Sequence, residues 1–266
     1  MTTVTFDAAP RAGRYGLRQA CRAETVKLFS LRSTWWTLLA TVAGSLVVTA
    51  LSMHGAAHQP PRWYRGFDPT NESLAGLAIG SLVIGVLGAL AFTSEYGSGT
   101  IRSSMAATPR RSELALAKLL VVGLLSLVVG EIVTFACFGL GHIVLAGSPA
   151  PAWGLGQPGV ARAVALSGVC LGLLGLMGAG IGAALRRTAG AIGAYAALVF
   201  VLPLILTKVP GNVARFTPLL ILANSVATVF PSGNQHVSPG VGFAMIAAYG
   251  VALVALGTAA VIRRDP

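Results

Sequence analysis

Six stretches of this chain are long and apolar enough to cross a lipid bilayer, and that fact limits every other reading of it. A hydrocarbon core ~30 Å thick needs ~20 consecutive apolar residues as a helix. Inside lipid each backbone amide must also find its partner within the protein, so such runs form helices. The runs are Trp35 to Met53, Leu74 to Phe92, Leu114 to Ala146, Val160 to Leu185, Ala189 to Thr207 and Val241 to Ile262. The third would extend ~50 Å as one helix at ~1.5 Å per residue. It is therefore expected to tilt, project beyond the bilayer or break near Gly139 and Gly141. Composition agrees, with 55% hydrophobic and only 10% charged residues, where soluble domains carry about 25% charged. The expected fold is all-α and polytopic: an N-terminal tail and amphipathic cytoplasmic helix over 1–34, then a six-helix membrane domain over 35–266. Trp35 and Trp36 resemble an interfacial anchor at the start of the first run. A signal peptide is not expected, because 34 residues precede that run and it is too long for an h-region.

Orientation follows from the cations. With the N-terminus inside, fourteen Lys and Arg residues fall on cytoplasmic pieces, among them Arg11, Arg14, Arg18, Arg22, Lys27, Arg32, Arg102, Arg110, Arg111, Lys118, Arg186, Arg187, Arg263 and Arg264. Only Arg62, Arg65, Arg162, Lys208 and Arg215 fall outside. That positive-inside bias puts both termini in the cytoplasm. The net charge of +11 is thereby spread over loops instead of forming the single patch a nucleic acid would need. Thr217 to Phe230 is apolar but too short to cross. Thr217-Pro218 reads as an N-cap with proline at the first helical position, and Pro231 closes the segment. A short external re-entrant or interfacial helix is expected there. Gly76 and Gly80, Gly168 and Gly172, and Gly178 and Gly182 have the GxxxG spacing that lets membrane helices approach closely. No internal repeat is evident.

Two segments stand apart from the spans. In Thr93 to Glu113, Glu95 and Tyr96 end the second run, Gly97 and Gly99 are expected to break it, and Thr100 to Ala107 can form a short helix with Ile101, Met105 and Ser104 on one side. Thr108 and Pro109 then start the third helix, with Arg110, Arg111 and Lys118 near the membrane surface. This pattern suits either a rigid lever that touches something in the cytoplasm or an ordinary positive-inside loop. At and just before Tyr15 to Ser33, Arg14, Arg18 and Arg22 recur every four residues, with Leu17, Cys21 and Leu28 on a neighbouring face. Such a basic amphipathic helix fits the inner leaflet and its anionic lipids. The alternative is a plain positive flank of the first span.

Arg22-Ala-Glu-Thr-Val-Lys-Leu-Phe-Ser-Leu-Arg-Ser-Thr-Trp resembles the entry segment of type-2 ABC transporter permeases, the membrane subunits of drug, peptide and polysaccharide exporters. Glu95-Tyr-Gly-Ser-Gly-Thr-Ile-Arg, followed by Pro109-Arg-Arg and Lys118, is similar to the loop between their second and third helices. The likeness covers the whole chain, including a tight turn at Arg186-Arg187 and a long external segment before the last span. The resemblance implies that the entry segment (Glu24, Lys27, Arg32) and the loop (Glu95, Gly99, Thr100, Ile101, Arg102, Met105, Arg110, Arg111) contact a separate ABC-type ATPase. It also implies a dimer with a second or related permease, in a bacterial plasma membrane, with ATP and Mg held by the partner ATPase. This chain itself is expected to bind no cofactor.

A P-loop needs a glycine immediately before its lysine, and none of Lys27, Lys118 and Lys208 has one. Ser and His occur without a GxSxG elbow. Glu131 lies mid-way along the third span, where a carboxyl is costly unless paired, protonated or facing water. It is either a polar point of the transport path, a proton relay, or a neutral group bonded to neighbouring helices. His54 and His58 have an i, i+4 spacing that suits a metal but lack a third ligand. Cys21, Cys137 and Cys170 show no ligand spacing and read as packing. The rival readings are a proton-coupled secondary transporter using Glu131 and a non-transporting immunity or assembly subunit.

Overall fold

The computed structural model describes residues 16–101, 111–149, 153–209, 213–228 and 237–263, and these are helical with short connectors. Helix α1 (Leu17–Ser30) leads through one extended residue, Leu31, into α2 (Arg32–Ala57). A short α3 (Pro69–Ser73), capped by Asp68 Oδ1 accepting from Thr70 and Asn71 N–H, precedes α4 (Leu77–Ser98). Next come α5 (Arg111–Val144) and α6 (Val160–Leu185). Helix α7 runs from Thr188 to Leu206, α8 is Pro218–Val226 and α9 is Pro239–Arg263. Six of these, α2, α4, α5, α6, α7 and α9, are long and apolar enough to cross a membrane.

The six expected runs are all there, with their ends moved. The second span continues past Phe92 to Ser98, because Gly97 stays helical and only Gly99 turns out, at φ 73°, a left-handed C-cap suited to glycine. Helix α5 runs unbroken through Gly139 and Gly141. Gly141 works there as a packing residue: a methyl at its position would lie 2.6 Å from the Ser73 Cβ and 2.9 Å from the Met53 Cε. In α7 the segment Ala197–Val201 is a π-turn just ahead of Pro203, whose missing N–H removes one helical bond. Thr217 occupies the N-cap position of α8, yet its hydroxyl donates back to the Ala214 carbonyl at 2.7 Å and does not cap the helix. The expected closure at Phe230 and Pro231 lies outside the described residues.

Helix α6 is the axis of the bundle and packs against α4, α5 and α9. Its contact with α4 is made almost without side chains. A methyl on Gly178 would overlap the Gly85 carbonyl, one on Gly88 the Gly175 carbonyl, and one on Gly182 would come 2.6 Å from the Ala89 carbonyl. Where lipid removes the hydrophobic drive, such close backbone approach supplies dispersion in its place. Gly76 does the same against the Ser45 carbonyl, and Gly172 against Leu127, so each expected GxxxG pair lies at a helix contact. Tyr195 of α7 closes the seam from the side, with its ring over Gly85 and its hydroxyl donating to the Ser81 carbonyl at 2.7 Å.

Helix α2 is turned inside out relative to a soluble protein. It buries Thr34, Thr41, Ser45 and Thr49, while Trp35, Trp36, Leu39, Val47 and Leu51 are exposed. An apolar rim of this kind fits acyl chains and would be an aggregation hazard in water. At the end of the bundle away from α1, Asp68 also accepts from the Thr228 N–H and, at 2.7 Å, from its hydroxyl. That fastens the segment after α8 to α3.

Candidate functional site

The charged side chains of highest burial gather at one end of the bundle. Glu24 and Lys27 are three residues apart on α1 and so share a face. That face, running through Ala20 and Glu24, is buried, while Arg18 and Arg22 point outward. Lys27 Nζ lies 2.9 Å from Glu24 Oε1 and 2.5 Å from Glu95 Oε1 near the C-terminus of α4. Lys118, about two turns into α5, completes the ring at 2.6 Å from Glu24 Oε2 and 2.8 Å from Glu95 Oε1. Three helices are thus joined by two carboxylates and two ammonium groups whose formal charges cancel.

Burial grades these contacts. The side chains of Lys118, Glu95 and Glu24 are 4%, 5% and 7% exposed, whereas that of Lys27 is 37% exposed. Desolvating such ions costs several kcal/mol each and is repaid only by close mutual pairing. Burial pushes the Lys27 ammonium down, but its hydrogen bonds and attraction to Glu95 and Glu24 outweigh this and hold it above the ordinary lysine range. The Lys118 ammonium also lies 5.6 Å from the centre of the Phe92 ring. Glu95 Oε2 is buried and accepts no hydrogen bond among the described residues.

A cavity of about 620 Å³ adjoins the ring, bounded by α1, α2, α4 and α5. All four charged residues line it, together with Thr34, Ser94 and Thr100 and the apolar side chains of Leu87, Leu90 and Val121. At the same end Arg186, the one described non-glycine residue with a positive φ (59°), terminates α6. Its guanidinium donates to the Ala260 carbonyl at 2.8 Å and lies 4.9 Å from the Tyr96 ring centre, tying α6 to α9 and α4.

Of the residues singled out from sequence, Glu24, Lys27 and Glu95 meet in the ring. Gly99 caps α4, and the hydroxyls of Thr100 and Ser98 are 2.8 Å apart. Ile101 is buried. Arg32 is exposed and stands outside the ring. Arg102, Met105, Arg110 and the expected helix over Thr100 to Ala107 fall mostly or wholly outside the described residues, and so does the Arg111 side chain. The sequence places Lys118 near the membrane surface, whereas the structure makes it a buried member of the ring. The available signal was its isolation: a lone cation between Ala117 and Leu119 in an apolar helix needs a buried anion.

Glu131 is half-buried in α5, against Gly168 of α6, where a methyl would come 2.5 Å from its Cδ. Among the described residues it makes no hydrogen bond or ion pair. The His54 and His58 rings lie 4.3 Å apart, and His58 Nδ1 contacts the His54 carbonyl at 2.8 Å. No group of three metal-ligating side chains occurs among the described residues.

Comparison with known proteins matches residues 20–209 to the family model described as ABC-2 family transporter protein. The match runs from α1 through α7 and contains the whole charged ring. Comparison with the curated proteins finds no match.

Proposed function

The chain belongs to the ABC-2 transporter family, and from that premise we propose that it is the permease subunit of an ATP-driven exporter, coupled through its charged ring to a separate ATP-binding subunit. The ring carries this reading. It fixes α1, the end of α4 and the start of α5 to one another, so a push on α1 or on the loop after α4 moves the ends of two spans together. In this reading the charged end faces the cytoplasm of a bacterial cell, both termini lie inside, and the partner holds ATP and Mg. A second permease copy or a related permease completes the transporter in the inner membrane. Nucleic acid has no part in it. Gly99, Thr100, Arg102, Met105, Arg110 and Arg111 form the contact with the ATPase and Arg32 its entry-helix side, while the buried Glu95, Ile101 and Glu24, with Lys27, pass its movement to the spans.

The test is co-purification with the candidate ATPase, comparing wild type with Glu95→Ala/Arg102→Ala. A wild type that brings down the ATPase and stimulates it, beside a folded variant that does not, supports the assignment. If no ATPase associates and the two proteins behave alike, the assignment fails. Proton-driven transport through Glu131 is then the reading to test.

A further inference from the structure

The cavity beside the charged ring has the make-up of a binding site. Its volume of about 620 Å³ falls in the range that holds drug-sized ligands, ~300–1,000 Å³. Leu87, Leu90 and Val121 form apolar walls leading away from the charges. Leu87 lies ~12 Å along α4 from Glu95 at ~1.5 Å per residue. The polar end offers unused bonding capacity of both kinds. Glu95 Oε2 has no donor among the described residues but is shut off from the cavity by its neighbours, so it is not part of that capacity. Lys118 spends two bonds on carboxylates out of the three an ammonium can donate. The hydroxyls of Thr34 and Ser94 also line the cavity and make no hydrogen bond among the described residues.

We propose that this cavity binds an uncharged amphiphile, a molecule with one alkyl chain and a hydroxyl- or amide-bearing head. The charge balance selects the head. Two carboxylates and two ammonium groups sum to zero, so a cationic or anionic head would bring an uncompensated charge into a low-dielectric site. A neutral head that accepts from Lys118 Nζ and exchanges hydrogen bonds with the Thr34 and Ser94 hydroxyls is satisfied without that cost. The chain then lies along Leu90 and Leu87 between α4 and α5. The ligand would touch the groups that join α1 to the spans, so its presence would bear on the ring itself. The inference rests on the cavity and does not require the ATPase assignment.

The test is photolabelling of the full chain in lipid nanodiscs with a decan-1-ol analogue carrying a diazirine at the end of its chain. Two companion probes have the same chain with an ammonium or a carboxylate head, and adducts are mapped by peptide mass spectrometry. The expected result is neutral-probe adducts concentrated on Leu87, Leu90 and Val121, suppressed by excess unmodified decan-1-ol. The charged probes are expected to mark only lipid-facing residues such as Leu51 and Leu124. Ala91→Phe, which fills the cavity from α4, is expected to lower the cavity adducts by roughly tenfold, the effect of losing ~1.4 kcal/mol of binding. Neutral-probe adducts spread evenly over cavity and lipid face would overturn the proposal, and so would charged probes labelling the cavity equally. Should Ala91→Phe fail to fold, competition on the wild type still decides. No nucleotide or ATPase enters this assay, so its failure is separable from failure of the coupling assignment.

Discussion

Replacing Lys118 by methionine keeps most of the side-chain volume and removes the cation held between Glu24 and Glu95. Both carboxylates are less than a tenth exposed, so they have little water to turn to. Breaking a buried pair from one side costs ~3–5 kcal/mol, because the remaining charge is stranded. Lys27→Met removes a contact of similar length, but that side chain is more than a third exposed, and solvent screening reduces its worth to ~0–1 kcal/mol. The ordering is therefore the prediction: Lys118→Met destabilises by several kcal/mol more than Lys27→Met. Adding Glu95→Gln to Lys118→Met removes the stranded charge and is expected to restore ~0.5–3 kcal/mol as a coupling term. The measurement is reversible unfolding in mixed micelles of increasing SDS fraction, for the single variants Lys118→Met, Lys27→Met and Glu95→Gln and for the double variant Lys118→Met/Glu95→Gln. Equal losses from Lys118→Met and Lys27→Met would refute the argument from burial. Strictly additive losses in the double variant would refute the claim that Glu95 and Lys118 act as a pair.

Gly178→Ala and Gly88→Ala place a methyl into backbone carbonyls that cannot shift aside and are expected to cost ~1–3 kcal/mol or more. Gly139→Ala meets nothing within 4 Å and is expected to gain ~0.5–1 kcal/mol from helix propensity, with the same unfolding assay separating the two classes. Gly85→Ala collides with the Tyr195 ring, so it is expected to be rescued by Tyr195→Leu, and failure of that rescue would point to a different clash. Lys27 in the folded chain titrates above its ordinary value of 10.5. Its contribution is thus complete below that value and is lost as pH rises through the raised one. Stability followed from about pH 9 to about pH 12 should show an alkaline loss that is smaller in Lys27→Met.

The spans were legible because hydropathy over ~20 residues reports directly on the bilayer. Their ends were not. Helix α4 continues beyond Phe92 because Thr93 donates to the Ala89 carbonyl within the helix and the charge of Glu95 is neutralised by distant lysines. Neither fact is visible to a hydropathy window. Gly139 and Gly141 read as breakers, but in a membrane helix glycine more often permits a neighbour's approach, as Gly141 does toward Ser73 and Met53. The site divides in the same way. Glu24 and Lys27 are linked by helical spacing, so their shared face could be read from the sequence. Glu24 and Lys118 are separated by 94 residues, and only the packing of α1 onto α5 brings them together. The likeness in the entry segment and the loop pointed to the helices that meet in the ring without the bonds inside it.

The glycine seam between α4 and α6 also bears on how the molecule comes together in the membrane. Gly85, Gly88, Gly175, Gly178 and Gly182 have no rotamers to surrender, so closing this contact forfeits almost no side-chain entropy. A seam of leucines would have to select one packing among many. Helices α4 and α6 are not consecutive spans, yet once both are helical their pairing asks little side-chain order. They are suited to meet early, with α5 then laid across them by its contacts at Gly130 and Gly172. The charged ring joins α1, α4 and α5, so it can close only once those three have met.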